Sequence, residues 1–204
     1  MSTLKVDTIL KRTGTGTISI GQSGDTVALP SATLTTALPV TSGGIGGTSF
    51  SAAGLANTPG FAAYLNSSTQ NVVSQTWTKV NMYGEDMDTS GAYDTSNARF
   101  TIPSGQAGKY MFGAVGRVNN SHTITLYMYI YKNGNSWLEC GKRDSHGSGT
   151  NLSSIYNQGV IDAAAGDYFE VYIYNDGDTT GFRGSSSATS ARESWWFGYK
   201  LIGA

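Results

Sequence analysis

The chain has 204 residues, 13 Lys+Arg against 14 Asp+Glu, a formal net charge of −1 and one cysteine. Only 13% of residues are charged and Lys and Arg form no cluster, which excludes electrostatic capture by nucleic acid or an anionic membrane. One cysteine excludes an internal disulfide framework and a Cys-rich zinc site. Glycine contributes 27 residues, Ser and Thr together 48, and tyrosine 12. Low charge with abundant tyrosine is not a disordered composition, and no apolar run approaches the roughly 18–20 residues that cross a bilayer.

The start, Met1-Ser2-Thr3-Leu4-Lys5-Val6-Asp7, lacks the apolar stretch of a signal peptide. A Gly/Ser/Thr/Tyr-rich product made in the cytosol and exposed later fits a virion component released by lysis. Residues 1–60 hold one aromatic, Phe50, and five charges. Such a segment cannot bury enough apolar surface to fold alone, so it is expected to share its core with other chains. Thr17–Gly21, Asp25–Pro30 and Thr33–Val40 each read as a short extended piece ended by Gly or Pro. Ser42 to Thr48 is a glycine-dense joint, and Ser51 caps a short helical pattern to Asn57. We expect an attachment segment over 1–30, an intertwined stalk over 31–60 and a head over 61–204.

Beyond residue 60 the pattern is all β. Over 123–131, Ile124, Leu126, Met128 and Ile130 alternate strictly with Thr123, Thr125, Tyr127, Tyr129 and Tyr131. Asn133-Gly134 follows as a hairpin turn. Over 168–174, Phe169, Val171 and Ile173 alternate with Tyr168, Glu170, Tyr172 and Tyr174. Further strands are predicted at 72–83, 98–103, 108–118, 136–143, 152–162, 181–186 and 194–202. Short strands without a convincing helix in this part mean a sandwich or barrel, and a jelly roll fits best. If the two tyrosine strands share a sheet, Tyr127, Tyr129, Tyr131, Tyr172 and Tyr174 make a patch larger than monomers usually expose. A subunit interface uses such rings well, since each buries a large area and still satisfies its hydroxyl. A wet face that stacks on sugar is the alternative.

Residues 93–112 read Y-D-T-S-N-A-R-F-T-I-P-S-G-Q-A-G-K-Y-M-F. This resembles the signature of the complement component 1q globular head at Tyr93, Asp94, Ser96, Arg99, Phe100, Thr101, Pro103, Gly108, Tyr110 and Phe112. Phe61–Leu65 is similar to that family's opening strand, and Gly166-Asp167 and Trp196–Ile202 to its last landmarks. The stretch from Pro103 to Gly108 is two residues longer than the family's spacing. The resemblance implies a ten-stranded jelly roll of the tumour necrosis factor type, trimeric, with the strands matching 123–131 and 168–174 in the inner sheet at the axis. Residues 2–9 and 39–44 resemble segments of bacteriophage tail-fibre and virion-fibre proteins, and no Gly-X-Y stalk is present.

Chemistry finds little to work with. His122 and His146 fall in loops or at strand ends, and no metalloprotease or nucleophile-elbow motif occurs. Cys140 reads as a small packed residue. Glu85, Asp86 and Asp88 sit in a stretch, Gly84 to Asp88, that reads as a solvated loop. Calcium is a minor alternative there and at Asn175–Asp178, without an EF-hand spacing; no cofactor or other metal is expected. The sequons at Asn66 and Asn151 carry no meaning in a bacterial cytosol.

Strand parity places the binding surface. If 194–202 returns toward the stalk, loop 187–193 is distal. Counting back, loops near 163–167, 133–136 and 84–98 share that end, and 144–151 and 176–180 face the stalk. The distal set offers Glu85, Asp86, Asp88, Asn133, Asn135, Arg192 and Glu193 as candidate receptor-binding residues, with three copies adding avidity. The sequence thus predicts a trimeric phage fibre whose head binds a host surface glycan or protein, and whose N-terminal part meets other virion proteins. Nucleic acid, membrane insertion and catalysis are not expected. A decoration protein and a polysaccharide-degrading spike are the other readings.

Overall fold

The computed structural model describes residues 57–120, 124–145, 151–185 and 191–202. The expectations for residues 1–56, for His122 and His146, and for part of loop 187–193 lie outside the described residues.

Alternation builds the sheets. In β8 (Ile124–Lys132), Leu126, Met128 and Ile130 are fully buried while Tyr127, Tyr129 and Tyr131 are half-buried. In β11 (Tyr168–Asn175), Phe169, Val171 and Ile173 point inward and Tyr172 and Tyr174 outward. The two strands are antiparallel neighbours, with Tyr129 opposite Tyr172 and Tyr127 opposite Tyr174. Between β8 and β9 (Asn135–Ser145), Asn133 and Gly134 have φ of 53° and 78°. The Asn-Gly turn predicted from sequence supplies this pair of positive values.

Sheet A runs β2 (Thr69–Val72), β12 (Thr180–Arg183), β7 (Gly108–Asn120), β13 (Trp195–Lys200), β1 (Gly60–Tyr64), β4 (Gly84–Asp88), and β10 (Asn151–Ala163) pairs with β7 as well. Sheet B runs β5 (Tyr93–Asp94), β6 (Arg99–Thr101), β11, β8, β9, with β3 (Thr78–Lys79) also on β11. All the inter-strand ladders are antiparallel. No helix is present among the described residues.

The inner faces meet through aromatic rings. Phe61 stacks on Phe100 at 4.5 Å and meets Trp196 edge-on at 4.5 Å, and Phe112 lies 4.4 Å from Phe169. Tyr93, Phe100, Tyr110 and Phe112 are all core residues, so the 93–112 signature is a packing motif. Trp196 is fully buried, and its indole N–H donates to the Tyr93 hydroxyl at 3.1 Å. That hydroxyl donates in turn to the Met82 carbonyl at 2.5 Å. At one side the sheets are stitched by Asn157 of β10. Its amide, in a residue 1% exposed, donates to the carbonyls of Met128 and Leu138 at 3.0 Å each.

Two sequence expectations are corrected. Gly84 to Asp88 is a strand, not a loop, paired with β1 from Phe61↔Asp88 to Tyr64↔Gly84. It lies at the end of the strand order of sheet A, where charged side chains both tolerate solvent and discourage pairing with another chain. The parity count also fails. β12 and β13 both run antiparallel to β7, opposite residues 117–119 and 110–115. Two consecutive strands therefore share one direction, and the chain between them leaves the sheet at mid-height. The turn at 133–136 and the loop at 163–167 consequently lie with the entry to β1. Lys132 bonds both Asp167 and the Asp162 carbonyl, Asp162 pairs with Lys109, and Lys200 N–H donates to the Pro59 carbonyl.

Candidate functional site

The structure brings the five sequence-predicted tyrosines together on the outer face of sheet B. Tyr131 stacks on Tyr172 at 4.1 Å, Tyr127 meets Tyr174 edge-on at 5.9 Å, and Tyr129 lies 6.5 Å from Tyr131. Sequence reasoning did not single out Trp77. This residue precedes β3, and its ring lies 4.4 Å from Tyr129, 5.2 Å from Tyr174 and 6.1 Å from Tyr131. It is 37% exposed. Burial among these rings, then the neighbouring Glu139 carboxylate, pushes the Tyr129 phenol up to about 12.

Beside the rings lies a buried carboxylate. Glu170, 3% exposed, accepts from Lys79 Nζ at 2.6 Å and Arg99 Nε at 2.8 Å. A buried carboxylate needs such partners. The Arg99 guanidinium also stacks 3.9 Å above the Tyr168 ring, so three elements of sheet B are fastened at one point.

Sheet A carries a second apolar face that sequence reasoning missed. On β13, Trp195, Phe197 and Tyr199 flank the buried Trp196 and stack in a row at 5.5 and 6.2 Å. Phe197 sits opposite Gly113, where a Cβ would meet its ring at 2.6 Å; glycine leaves room for the ring to lie flat. The same rows extend through Val115 to Tyr156 and through Met111 to Val160. Tyr156 is 67% exposed and Val160 52%. Met87 of β4, opposite Ala62, is exposed as well. Charged pairs lie beside this face: Lys109–Asp162 at 2.6 Å, and Arg183–Glu193 at 2.7 Å. The period-2 pattern in Trp195-Trp196-Phe197-Gly198-Tyr199 was the available signal.

Most of the seven candidate receptor-binding residues are engaged by neighbours within the chain. Asp86 is clasped by Arg192, which also lies 3.6 Å over the Tyr64 ring. Its carboxyl is held below the usual range by that guanidinium. Asp88 accepts from the Ser90 and Tyr93 amides and shapes the turn after β4. Glu85 is exposed on β4. Glu193 binds Arg183 and lies 3.9 Å from Arg117. Asn133 is spent on the loop before β11, donating to Asp167 and accepting from the Tyr168 amide, and Asn135 donates to the Asn133 carbonyl. Among the described residues no three His, Cys, Asp or Glu side chains form a metal-holding group. Asn175 turns its amide onto its own loop, at the Asp178 carbonyl and the Gly177 amide.

No family model matches the chain, and no curated protein matches it. Solved structures do. The Eiger tumour necrosis factor of S. frugiperda is 16% identical, with a TM-score of 0.50, over 71% of this chain and 93% of that one. The globular domain of zebrafish complement 1qA is 12% identical, with a TM-score of 0.46, over 72% of this chain and 98% of that one. The head has a jelly-roll fold similar to that of the Eiger protein.

Proposed function

We propose that the chain is a homotrimeric bacteriophage fibre protein. In this reading residues 1–30 attach to the virion, 31–60 form an intertwined stalk, and the head from 61 adheres to a host surface glycan or protein without covalent chemistry. The resemblance of residues 2–9 and 39–44 to phage-fibre segments supports the virion context.

The observation that carries the trimer is the outer face of sheet A. It offers large rings and aliphatic groups with charged pairs beside them, the layout of a subunit contact. The chain enters the head through β1, a strand of this same sheet. Packing three copies through sheet A draws three N-terminal segments to one axis, as a shared stalk requires. Packing through the tyrosine face of sheet B, the contact expected from sequence, leaves those segments further apart and leaves sheet A uncovered. We therefore assign the subunit contact to sheet A. This frees the tyrosine face, and three copies of one weak site multiply avidity.

The test is adhesion. Purified protein should bind host cells and block infection by the particle that carries it. Shortened surface polymer on incubation would instead indicate an enzyme. Absence of both effects would point to a decoration protein.

A further inference from the structure

Resting on the adhesion reading above, we infer that the Trp77–tyrosine face of sheet B is a platform for a neutral, hexose-type saccharide. The chemistry of the face selects this occupant. The outward residues of β8 and β11 between 125 and 174 are tyrosines interrupted by Thr125 and Glu170, with no aliphatic side chain among them. An aliphatic protein partner would bury phenol hydroxyls against hydrocarbon and leave them unpaired. A pyranose presents the matching surface, with C–H patches for ring faces and hydroxyls at its edge for phenols and carboxylates.

Charge narrows the class. Lys79 and Arg99 are offset by Glu170, which binds both, and by the exposed Glu139 opposite Tyr129. The formal charges cancel, so neither a polyanion nor a polycation gains net attraction here. The polar groups are also held before any ligand arrives. Glu170 fixes Lys79 and Arg99, and Arg99 is pinned over Tyr168, which lowers the ordering cost of binding. Trp77 lies outside the strands, yet its ring reaches Tyr129 on β8 across β11. It sets an amphipathic indole at the centre of the platform while remaining 37% exposed. Such a ring presents an apolar face and a polar N–H together.

The full chain is tested on an immobilised panel of neutral glucose-, galactose- and N-acetylglucosamine-based oligosaccharides. Sialylated and sulfated members serve as charged controls, and host-cell binding is measured in parallel. Expected is retention on one or more neutral members, weakened about tenfold or more by Trp77→Ala and partly restored by Trp77→Phe, with oligomeric mass unchanged. The platform is overturned if no neutral member is retained, if only charged members are, or if Trp77→Ala binds as the unaltered chain does. It is also overturned if Trp77→Ala dissociates the oligomer, because the face would then be a subunit contact. A chain that binds host cells but no neutral saccharide sinks the platform alone. A chain that binds no host cells sinks the adhesion reading itself.

Discussion

Tyr93 shows how one residue joins both layers. Its hydroxyl accepts a hydrogen bond from the Trp196 indole N–H and donates one to the Met82 carbonyl, within the core that holds Phe61, Phe100 and Phe112. Burial raises its pKa, so it remains a donor at any physiological pH. Tyr93→Phe strands two buried polar groups, and we expect a loss of about 1–3 kcal/mol, read as a lower denaturant midpoint at constant slope. Asp167 makes a different prediction. The Lys132 ammonium first, then the Asn133 amide, depress its carboxyl from 3.8 to about 2. The folded state therefore resists protonation more than the unfolded chain does. That contribution is complete above about pH 4 and disappears as pH falls through about 2. Asp167→Asn should remove part of the acid-side slope of stability between those values, measured by denaturation at a series of pH values.

Among the elements, the tyrosine strands were legible because each buries one face, and a period of two then fixes every side chain. The 93–112 signature was legible for a similar reason, since its aromatic positions are core positions. β4 was not. Gly-Glu-Asp-Met-Asp has low strand propensity, and only its place at the sheet edge beside β1 makes it a strand. Nor could sequence show that β12 and β13 lie end to end along β7, because that arrangement depends on pairing between residues 62 to 90 positions apart, from Gly181↔Asn119 to Lys200↔Tyr110. The strand count that placed the expected distal loops failed with it, and Asn133 and Asp86 are held by hydrogen bonds within the chain. The Asn157 stitch between β10 and sheet B was also invisible, since an isolated Asn in a strand carries no signal. Asn157→Ala removes both of its donated bonds. It should raise amide hydrogen exchange selectively in β9 and β10 while leaving β11 protected; uniform exchange across both sheets would count against a local role.

For the molecule as a whole, the two outer faces of the sandwich differ in chemistry. Sheet A carries the N-terminal entry and an uncharged row of rings, and sheet B carries the tyrosines, Trp77 and a neutralised charge cluster. Sequence periodicity found the second face and expected the subunit contact there, whereas the contact proposed above lies on the first. The distinction turns on which sheet holds β1, and that is a property of topology alone. It also separates the two sets of variants. Trp77→Ala should leave assembly intact, whereas charges placed at Tyr156 and Val160 should break it.

The most direct measurement is the solution mass of the full chain by light scattering, alone and with Tyr156→Lys and Val160→Asp combined. The account predicts three times the 21.5 kDa chain mass for the unaltered protein and a single-chain mass for the double variant, with strand content preserved by circular dichroism. A single-chain mass for the unaltered protein, or an unchanged oligomer in the double variant, would contradict it.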